Sequence, residues 1–125
     1  MNDLKLSGTV NTPEINFRST GELIIRGRSL PEDVAGFYKP VIQWIRQNMT
    51  ETISLEIEVD YMNSSSTKKL LELFKIIEKS ETVKNFYINW LYDADDEDSL
   101  EKGLLMEEIL EKAIFRYQVT HPAEC

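Results

Sequence analysis

The chain has 125 residues, of which 22 are acidic and 14 are basic, so its formal net charge is −8. This length fits one domain with a sizeable core, and no stretch rich in proline and glycine divides it, so we expect a single domain over residues 1–125. The acidic excess disfavours nucleic acid and anionic membrane surfaces as partners and favours a basic protein surface.

No apolar run is long enough to cross a membrane, and the residues from Met1 to Lys5 lack the basic and apolar regions of a secretion signal. We therefore expect a cytoplasmic protein without membrane insertion. The only cysteine is Cys125, and the only histidine is His121, which we place in an exposed tail. These residues form no internal disulfide and no familiar metal or nucleophile constellation, so we expect neither a metal nor another cofactor.

Short alternating segments open the chain and predict a small antiparallel unit. Turn-forming residues at 11–13 and 19–21 separate these segments. Residues 3–28 are therefore expected to form an antiparallel hairpin or meander. The apolar residues that alternate are Leu4 and Leu6, Ile15 and Phe17, and Leu23 and Ile25.

The first helix is predicted to begin near Ser29, because this N-cap residue is followed by Pro31 and, three residues on, by Glu32 in a capping-box arrangement. Pro40 lies inside the helical pattern and has no N–H to donate, which predicts a kink or a restarted helix. The apolar stripe of this helix comprises Phe37, Val41, Ile42, Ile45 and Met49, with Tyr38 and Trp44 expected in the core or at its rim.

A strand over 53–61 and a helix follow, joined by a polar corner. The strand has a period of two, and the helix has apolar residues at helical spacing. The apolar residues of the strand are Ile53, Leu55, Ile57, Val59 and Tyr61, and those of the helix are Leu70, Leu73, Phe74 and Ile77. The alternating acids of the strand indicate that one face of the sheet is open.

Residues 83–92 predict another strand, with Tyr87 and Leu91 on its second face. Because that face is partly apolar, we expect this strand to be more central than the strand over 53–61. A final helix is predicted from the apolar residues between Leu105 and Ala113, and a closing strand from Ile114 to Val119. Residues 120–125 are expected to form a loose tail.

This order of elements predicts an α/β sandwich in which an N-terminal meander leads into a mixed sheet with about three helices. Ligands and partners of such sheets bind near the carboxyl ends of the parallel strands. Residues 63–67 and 93–98 both follow strands, so we expect the two segments to lie close together at that edge.

Four consecutive hydroxyl residues, from Ser64 to Thr67, occupy the corner between the strand and the helix. They support two interpretations. Serine and asparagine are good N-caps, each worth about 1 kcal/mol, and most serine-rich helix starts do nothing more. A phosphate is also favourable at a helix start, where it meets unpaired N–H groups and the positive end of the dipole.

The acidic run likewise has two interpretations. Its carboxylates provide solubility and favourable charge at the start of the last helix. Alternatively, they dock against a basic patch of a partner, which increases the rate and specificity of association. A calcium loop is a weaker hypothesis, because the glycine-bearing twelve-residue pattern is missing. The run comprises Asp93, Asp95, Asp96, Glu97 and Asp98.

A series of short motifs spans nearly the whole chain: Gly8-Thr9, Thr12-Pro13, Gly27-Arg28-Ser29-Leu30-Pro31-Glu32, Phe37-Tyr38-Lys39-Pro40, Tyr61-Met62-Asn63-Ser64-Ser65-Ser66, Trp90-Leu91-Tyr92-Asp93, Asp95-Asp96-Glu97-Asp98 and Glu101-Lys102-Gly103. Their order and spacing resemble those of the SiaC-type bacterial regulatory phosphoproteins. The resemblance implies a domain similar to the STAS-like anti-sigma-factor antagonists. Such proteins are not enzymes; they act by binding and are switched by a serine/threonine kinase and a phosphatase.

The family resemblance also implies a site. In family members an Asn-Thr-Ser-Ser corner carries the phosphoacceptor threonine, and the unphosphorylated form binds and activates a diguanylate cyclase. By position, Ser64 is the acceptor in this chain, where serine replaces the usual threonine, and Ser65 and Thr67 remain alternatives. The expected partner-binding residues are Asn63, Ser64, Ser65 and Ser66 with Asp93, Asp95, Asp96 and Asp98.

Two other hypotheses remain. The first is an enzyme or small-ligand binder that uses the acidic run and the hydroxyl corner, although Ser64 or Ser65 as a nucleophile would need a base and His121 is the only histidine. The second is a structural domain that self-associates through exposed strand edges.

Overall fold

Six strands lie side by side in chain order in the computed structural model, which describes residues 2–121. The first three strands are antiparallel, and the last three are added in parallel, each after a helical crossover. The elements are β1 (Leu4–Leu6), β2 (Glu14–Phe17), β3 (Glu22–Ser29), α1 (Val34–Gln47), β4 (Thr52–Met62), α2 (Ser64–Lys79), β5 (Asn85–Asp93), α3 (Glu97–Ile109) and β6 (Ile114–His121). The predicted meander, mixed sheet and α/β class are confirmed.

One apolar core lies between the sheet and the helices. Alternate residues of the strands are buried, and the buried apolar residues of all three helices join the same cluster. Since every crossover moves in the same direction across the sheet, the right-handed rule places the helices on one face. The opposite face carries charged side chains such as the ion pair of Arg26 with Glu56, which agrees with the predicted open face. No helix in the described part of the chain is long and apolar enough to cross a membrane.

The predicted start of the first helix at Ser29 is wrong. Ser29 is the last residue of β3 and is fully buried, whereas α1 begins at Val34 with Asp33 as its N-cap. The Asp33 carboxylate accepts a hydrogen bond from the amide of Gly36 at 3.0 Å. The helix continues through Pro40 without a restart. Tyr38 lies in the core, as expected.

The predicted relation between the two parallel strands is also wrong. The sheet order places β4 nearer the centre than β5, although β5 has a neighbour on each side. Tyr87 and Leu91, the apolar residues on the second face of β5, are only partly buried. An apolar residue on an open face therefore does not indicate how central its strand is.

The last helix begins earlier than its apolar residues suggest and buries a different face. Its buried residues are Ser99, Gly103 and Met106, whereas Leu105 and Ile109 are 54% and 43% exposed. Gly103 allows this approach, because a Cβ atom there would lie 2.9 Å from the ring of Trp90. The helix thus packs through Ser99, Gly103 and Met106 and leaves Leu105 and Ile109 largely outside.

The closing strand is confirmed, and it is longer than predicted. Thr120 and His121 belong to β6, where His121 is in register with Asp93, so the predicted tail is wrong for these two residues. The side chain of His121 and residues 122–125 lie outside the described part of the chain.

A single carboxylate ties the loop between α3 and β6 to the end of α2. Glu78 accepts hydrogen bonds from the amides of Glu111, Lys112 and Ala113, at 3.1, 2.5 and 2.7 Å. The ammonium group of Lys112 donates to the carbonyl of Val83 at 2.7 Å. Hydrogen bonds to an ionised acceptor are stronger than neutral ones, so this contact fixes the start of β6.

We expect Glu78→Ala to reduce the free energy of unfolding by about 2–3 kcal/mol, because three amides lose a charged acceptor. Urea denaturation followed by circular dichroism measures the change. Glu81→Ala, at an exposed position, is the control and should change it by less than about 0.5 kcal/mol. Equal stability of the two variants would contradict this role of Glu78.

Candidate functional site

The hydroxyl corner lies where β4 passes into α2, at the carboxyl edge of the parallel strands. Asn63 is the N-cap of α2, and its side-chain oxygen accepts a hydrogen bond from the amide of Ser66 at 2.8 Å. The carbonyl of Asn63 accepts from the amide of Thr67 at 2.9 Å, and its own amide donates to the carbonyl of Ser29 at 3.2 Å. The capping interpretation of this corner is therefore satisfied by Asn63, which leaves the hydroxyls for other roles.

Two of the four hydroxyls are engaged inside the protein. Ser66 is fully buried; its hydroxyl donates to the carbonyl of Ser29 at 3.0 Å and accepts from the Ser29 hydroxyl at 2.8 Å. Thr67 is partly buried and donates to the carbonyl of Asn63 at 3.0 Å. Ser66 was expected on the docking surface, and this expectation is wrong, because its side chain supports the corner from within.

The other two hydroxyls face solvent. Ser64 and Ser65 are exposed, and neither hydroxyl has a hydrogen-bond partner among residues 2–121. They occupy the first two positions of α2, whose amides have no partner within the helix. A phosphate on either hydroxyl would meet solvent without unfolding the helix.

Ser66 belongs to a buried network that joins three elements. The Ser29 hydroxyl gives its proton to Ser66, so the Tyr38 hydroxyl donates to Ser29. Burial raises the pKa of Tyr38 above its ordinary value. The network connects the end of β3, the middle of α1 and the first turn of α2.

Tyr61 was predicted on the buried face of its strand, and this is wrong. Val59 and Met62 are buried, while Asp60 and Tyr61 between them are both exposed, Tyr61 to 53%. The register between β3 and β4 shifts here, so that Asp60 is an extra residue opposite β3. A β-bulge of this kind re-aims the next side chain, and here it turns Tyr61 toward solvent.

Two cations flank the exposed ring. The guanidinium of Arg28 and the ammonium of Lys102 each lie 5.9 Å from the centre of the Tyr61 ring. Lys102 also donates to the carbonyl of Met62 at 2.8 Å, which fastens α3 to the end of β4. Sequence analysis missed this group; the available signal was Gly27, since a glycine inside a strand often marks a bulge.

The acidic run has structural roles for two of its members. Asp96 is the N-cap of α3 and accepts from the amide of Ser99 at 3.0 Å. Asp93 accepts from the amide of Asp95 at 3.0 Å. Asp95 and Asp98 have exposed side chains.

The acidic run meets the end of β4, just before the hydroxyl corner. A cavity of about 80 Å³ is shared by Tyr61 and Met62 of β4 and by Asp98 and Lys102 of α3. A second, of about 350 Å³, extends from Asp60 toward β5 and β6. The acidic run thus lies beside residues 59–62, the strand end that leads directly into the hydroxyl corner. Among residues 2–121, no group of three or more His, Cys, Asp or Glu side chains is arranged to hold a metal ion.

Comparison with protein families gives a match to the SiaC family of regulatory phosphoproteins over residues 6–120. The chain belongs to the SiaC family. This match covers nearly the whole chain and confirms the resemblance found in its motifs.

Solved structures of the SiaC family share this fold. SiaC of Pseudomonas aeruginosa is 25% identical, with a TM-score of 0.82 over 95% of this chain and 99% of that one. SiaC in the complex of diguanylate cyclase SiaD with its activator SiaC, from the same organism, is also 25% identical, with a TM-score of 0.82 over 94% and 99% of the two chains. A comparison with curated proteins gives no match.

The buried hydroxyl of Ser66 should be important for stability, unlike that of Ser65. We expect Ser66→Ala to lower the free energy of unfolding by about 1–3 kcal/mol, because the buried Ser29 hydroxyl loses its acceptor and the Ser29 carbonyl loses one of its two donors. Ser65→Ala, two positions into the same helix, should change it by less than about 0.5 kcal/mol. Urea denaturation of both variants measures the difference, and equal losses would argue against the network.

Tyr38 should make stability depend on alkaline pH. The pKa of Tyr38 is raised in the folded protein. Its contribution to the free energy of unfolding is therefore complete at pH values below the pKa of about 10 in the unfolded chain, and it is lost as the pH rises through the higher pKa of the folded protein. At neutral pH we expect the free energy of unfolding of the wild type to exceed that of Tyr38→Phe by about 1 kcal/mol. This difference should shrink above pH ~10. Urea denaturation across that range tests the expectation, which parallel pH profiles would contradict.

Proposed function

We propose that the chain is a phosphorylation-controlled interaction switch. In its unmodified form the hydroxyl corner belongs to a surface that binds and activates a partner protein, and phosphate on Ser64 blocks that binding. The observation that carries this proposal is the exposed, unengaged hydroxyl of Ser64 at the start of α2 in a chain of the SiaC family.

The exposure and hydrogen bonding of their hydroxyls support the three candidate acceptors to different degrees. Ser64 combines exposure with the position that the family resemblance indicates. Ser65 is equally exposed and is the first alternative. Thr67 is the weaker alternative, since a kinase would have to break its hydrogen bond to the carbonyl of Asn63.

A phosphate at Ser64 would alter the surface without destabilising the fold. It adds about −1.5 to −2 charges at neutral pH, and the helix start favours that charge. Near the corner lie the exposed Tyr61 and its neighbours Arg28 and Lys102. Tyrosine and arginine are residue types enriched at binding hot spots. The phosphate is therefore expected to weaken binding of the partner, by charge repulsion and by the cost of removing water from the phosphate, and not to weaken the fold.

We propose a diguanylate cyclase as the partner. The support is the solved complex in which SiaC of Pseudomonas aeruginosa is the activator of the diguanylate cyclase SiaD. A serine/threonine kinase and a phosphatase would set the state of Ser64, in the cytoplasm, where ATP is available. The chain itself acts by binding and not by catalysis.

The acidic run would contribute to docking mainly through Asp95 and Asp98. Their side chains are exposed, whereas the carboxylates of Asp93 and Asp96 already accept hydrogen bonds from their own loop. Charges at the rim of an interface chiefly affect the association rate. Neutral variants of Asp95 and Asp98 would therefore slow association more than they speed dissociation.

Phosphosite mapping and a binding assay test the switch together. Mass spectrometry of protein from its native cell, before and after phosphatase treatment, should find a removable phosphate on Ser64, and Ser64→Ala should lack it. Protein phosphorylated at Ser64 should bind the cyclase at least about tenfold more weakly than unmodified protein.

Ser65→Ala and Thr67→Val are the matched controls for this experiment and should retain both the phosphate and its effect. Unchanged cyclase affinity after phosphorylation of Ser64 would refute the switch. A phosphate found only on Ser65 or Thr67 would keep the mechanism and move its site.

A further inference from the structure

One face of α2 combines the proposed phosphoacceptor with a line of lysines. Ser64, Lys68, Leu71, Lys75 and Lys79 follow one another at intervals of four, three, four and four residues. These intervals keep side chains on the same side of a helix with 3.6 residues per turn. We call this set the basic face; it runs about 22 Å from the hydroxyl corner to the end of α2.

The basic face borders a groove that also receives a side chain from α1. The groove has a volume of about 400 Å³ and is lined by Arg46, Lys68, Leu71, Glu72, Lys75, Ile76 and Lys79. Four of these residues are cationic. The single acid, Glu72, already forms an ion pair with Lys69 at 3.1 Å.

The cations of the groove form no ion pair within the part of the chain that the structure describes. Arg46, Lys68, Lys75 and Lys79 are exposed, and none of them forms an ion pair with any of residues 2–121. The net charge of the chain is −8, so this cluster of unpaired cations has the opposite sign to the charge of the protein as a whole. Charge complementarity therefore points to an acidic ligand at this place, in contrast to the basic partner that the overall charge suggests.

The groove also has an apolar component. Leu71 and Ile76 are only partly buried, and both line it between the cations. A ligand that contacts both the cations and the apolar residues of the groove must present carboxylates and apolar side chains together. An amphipathic helix does so with residues three and four apart. Nucleic acid matches the groove less well, because its long polyanion would also face the negative charge of the rest of the surface.

We propose that an acidic amphipathic helix of the partner protein docks on the basic face of α2. This inference rests on the proposed function where it concerns the switch. Ser64 is the first residue of the basic face and lies one helical turn from Lys68, so its phosphate would take Lys68 as a counter-ion and repel the carboxylates of the docked helix. Ser65 lies off this face, which gives Ser64 the stronger effect on docking.

The first test uses a synthetic peptide and does not require the cyclase. A helical peptide of about 15 residues made of glutamate and leucine is titrated into the isotope-labelled protein, and amide shifts are followed by NMR. We expect the largest shifts at Arg46, Leu71 and Ile76, and no binding of the same peptide with lysine in place of glutamate. Shifts elsewhere, or tighter binding of a DNA duplex than of the peptide, would overturn the proposal.

Charge reversal supplies the second test. Lys75→Glu with Lys79→Glu should weaken binding of the glutamate peptide and of the cyclase by at least about tenfold. The control is Lys5→Glu with Lys84→Glu, which makes the same change of net charge at exposed positions outside the groove and should leave both affinities unchanged.

The two proposals fail in different ways. Full cyclase affinity in the Lys75→Glu, Lys79→Glu variant would overturn docking on the basic face and leave the switch standing. A wild-type protein that binds the peptide in the groove but binds no cyclase would overturn the proposed function. The peptide titration would then support docking of an acidic helix in the groove independently of the cyclase.

Discussion

A buried set of three hydroxyls determines where the exposed ones lie. A hydroxyl removed from water is costly unless it is hydrogen-bonded, so Ser29, Ser66 and Tyr38 must find one another. Their pairing fixes the first turn of α2 against β3 and α1. Because Ser66 points inward, the helical geometry turns Ser64 and Ser65 outward. The accessibility of the candidate acceptor is thus a consequence of the inner network and not a separate property.

Sequence analysis predicted the order and type of the elements because periodicity reports which side of each element is buried. It failed where two local patterns compete. Ser29 and Asp33 both resemble N-caps, and Ser29 is used in the sheet instead, where its carbonyl accepts from Asn63 and Ser66. Such a choice depends on residues more than thirty positions away, which local patterns do not contain.

The candidate site was predicted only in part for a similar reason. The position of the corner at the carboxyl edge follows from topology, so residues 63–67 could be located in advance. The bulge at Asp60 keeps the sequence alternation intact while it reverses the side that Tyr61 faces. Likewise, Leu105 and Ile109 have the spacing of a core stripe, but the contact of Gly103 with Trp90 determines which face of α3 is buried.

The order of the strands also has a consequence for synthesis. Each strand pairs with the one before it, so the chain can extend its sheet as it leaves the ribosome. All of the hydroxyl network and the capping of α2 lie within residues 29–67. We therefore expect the corner to assemble while β5, α3 and β6 are still being made, and the contact of Lys102 with Met62 to form only once α3 has been made. The first turn of α2 would thus take its shape before Asp95, Asp98 and Lys102 complete the proposed binding surface.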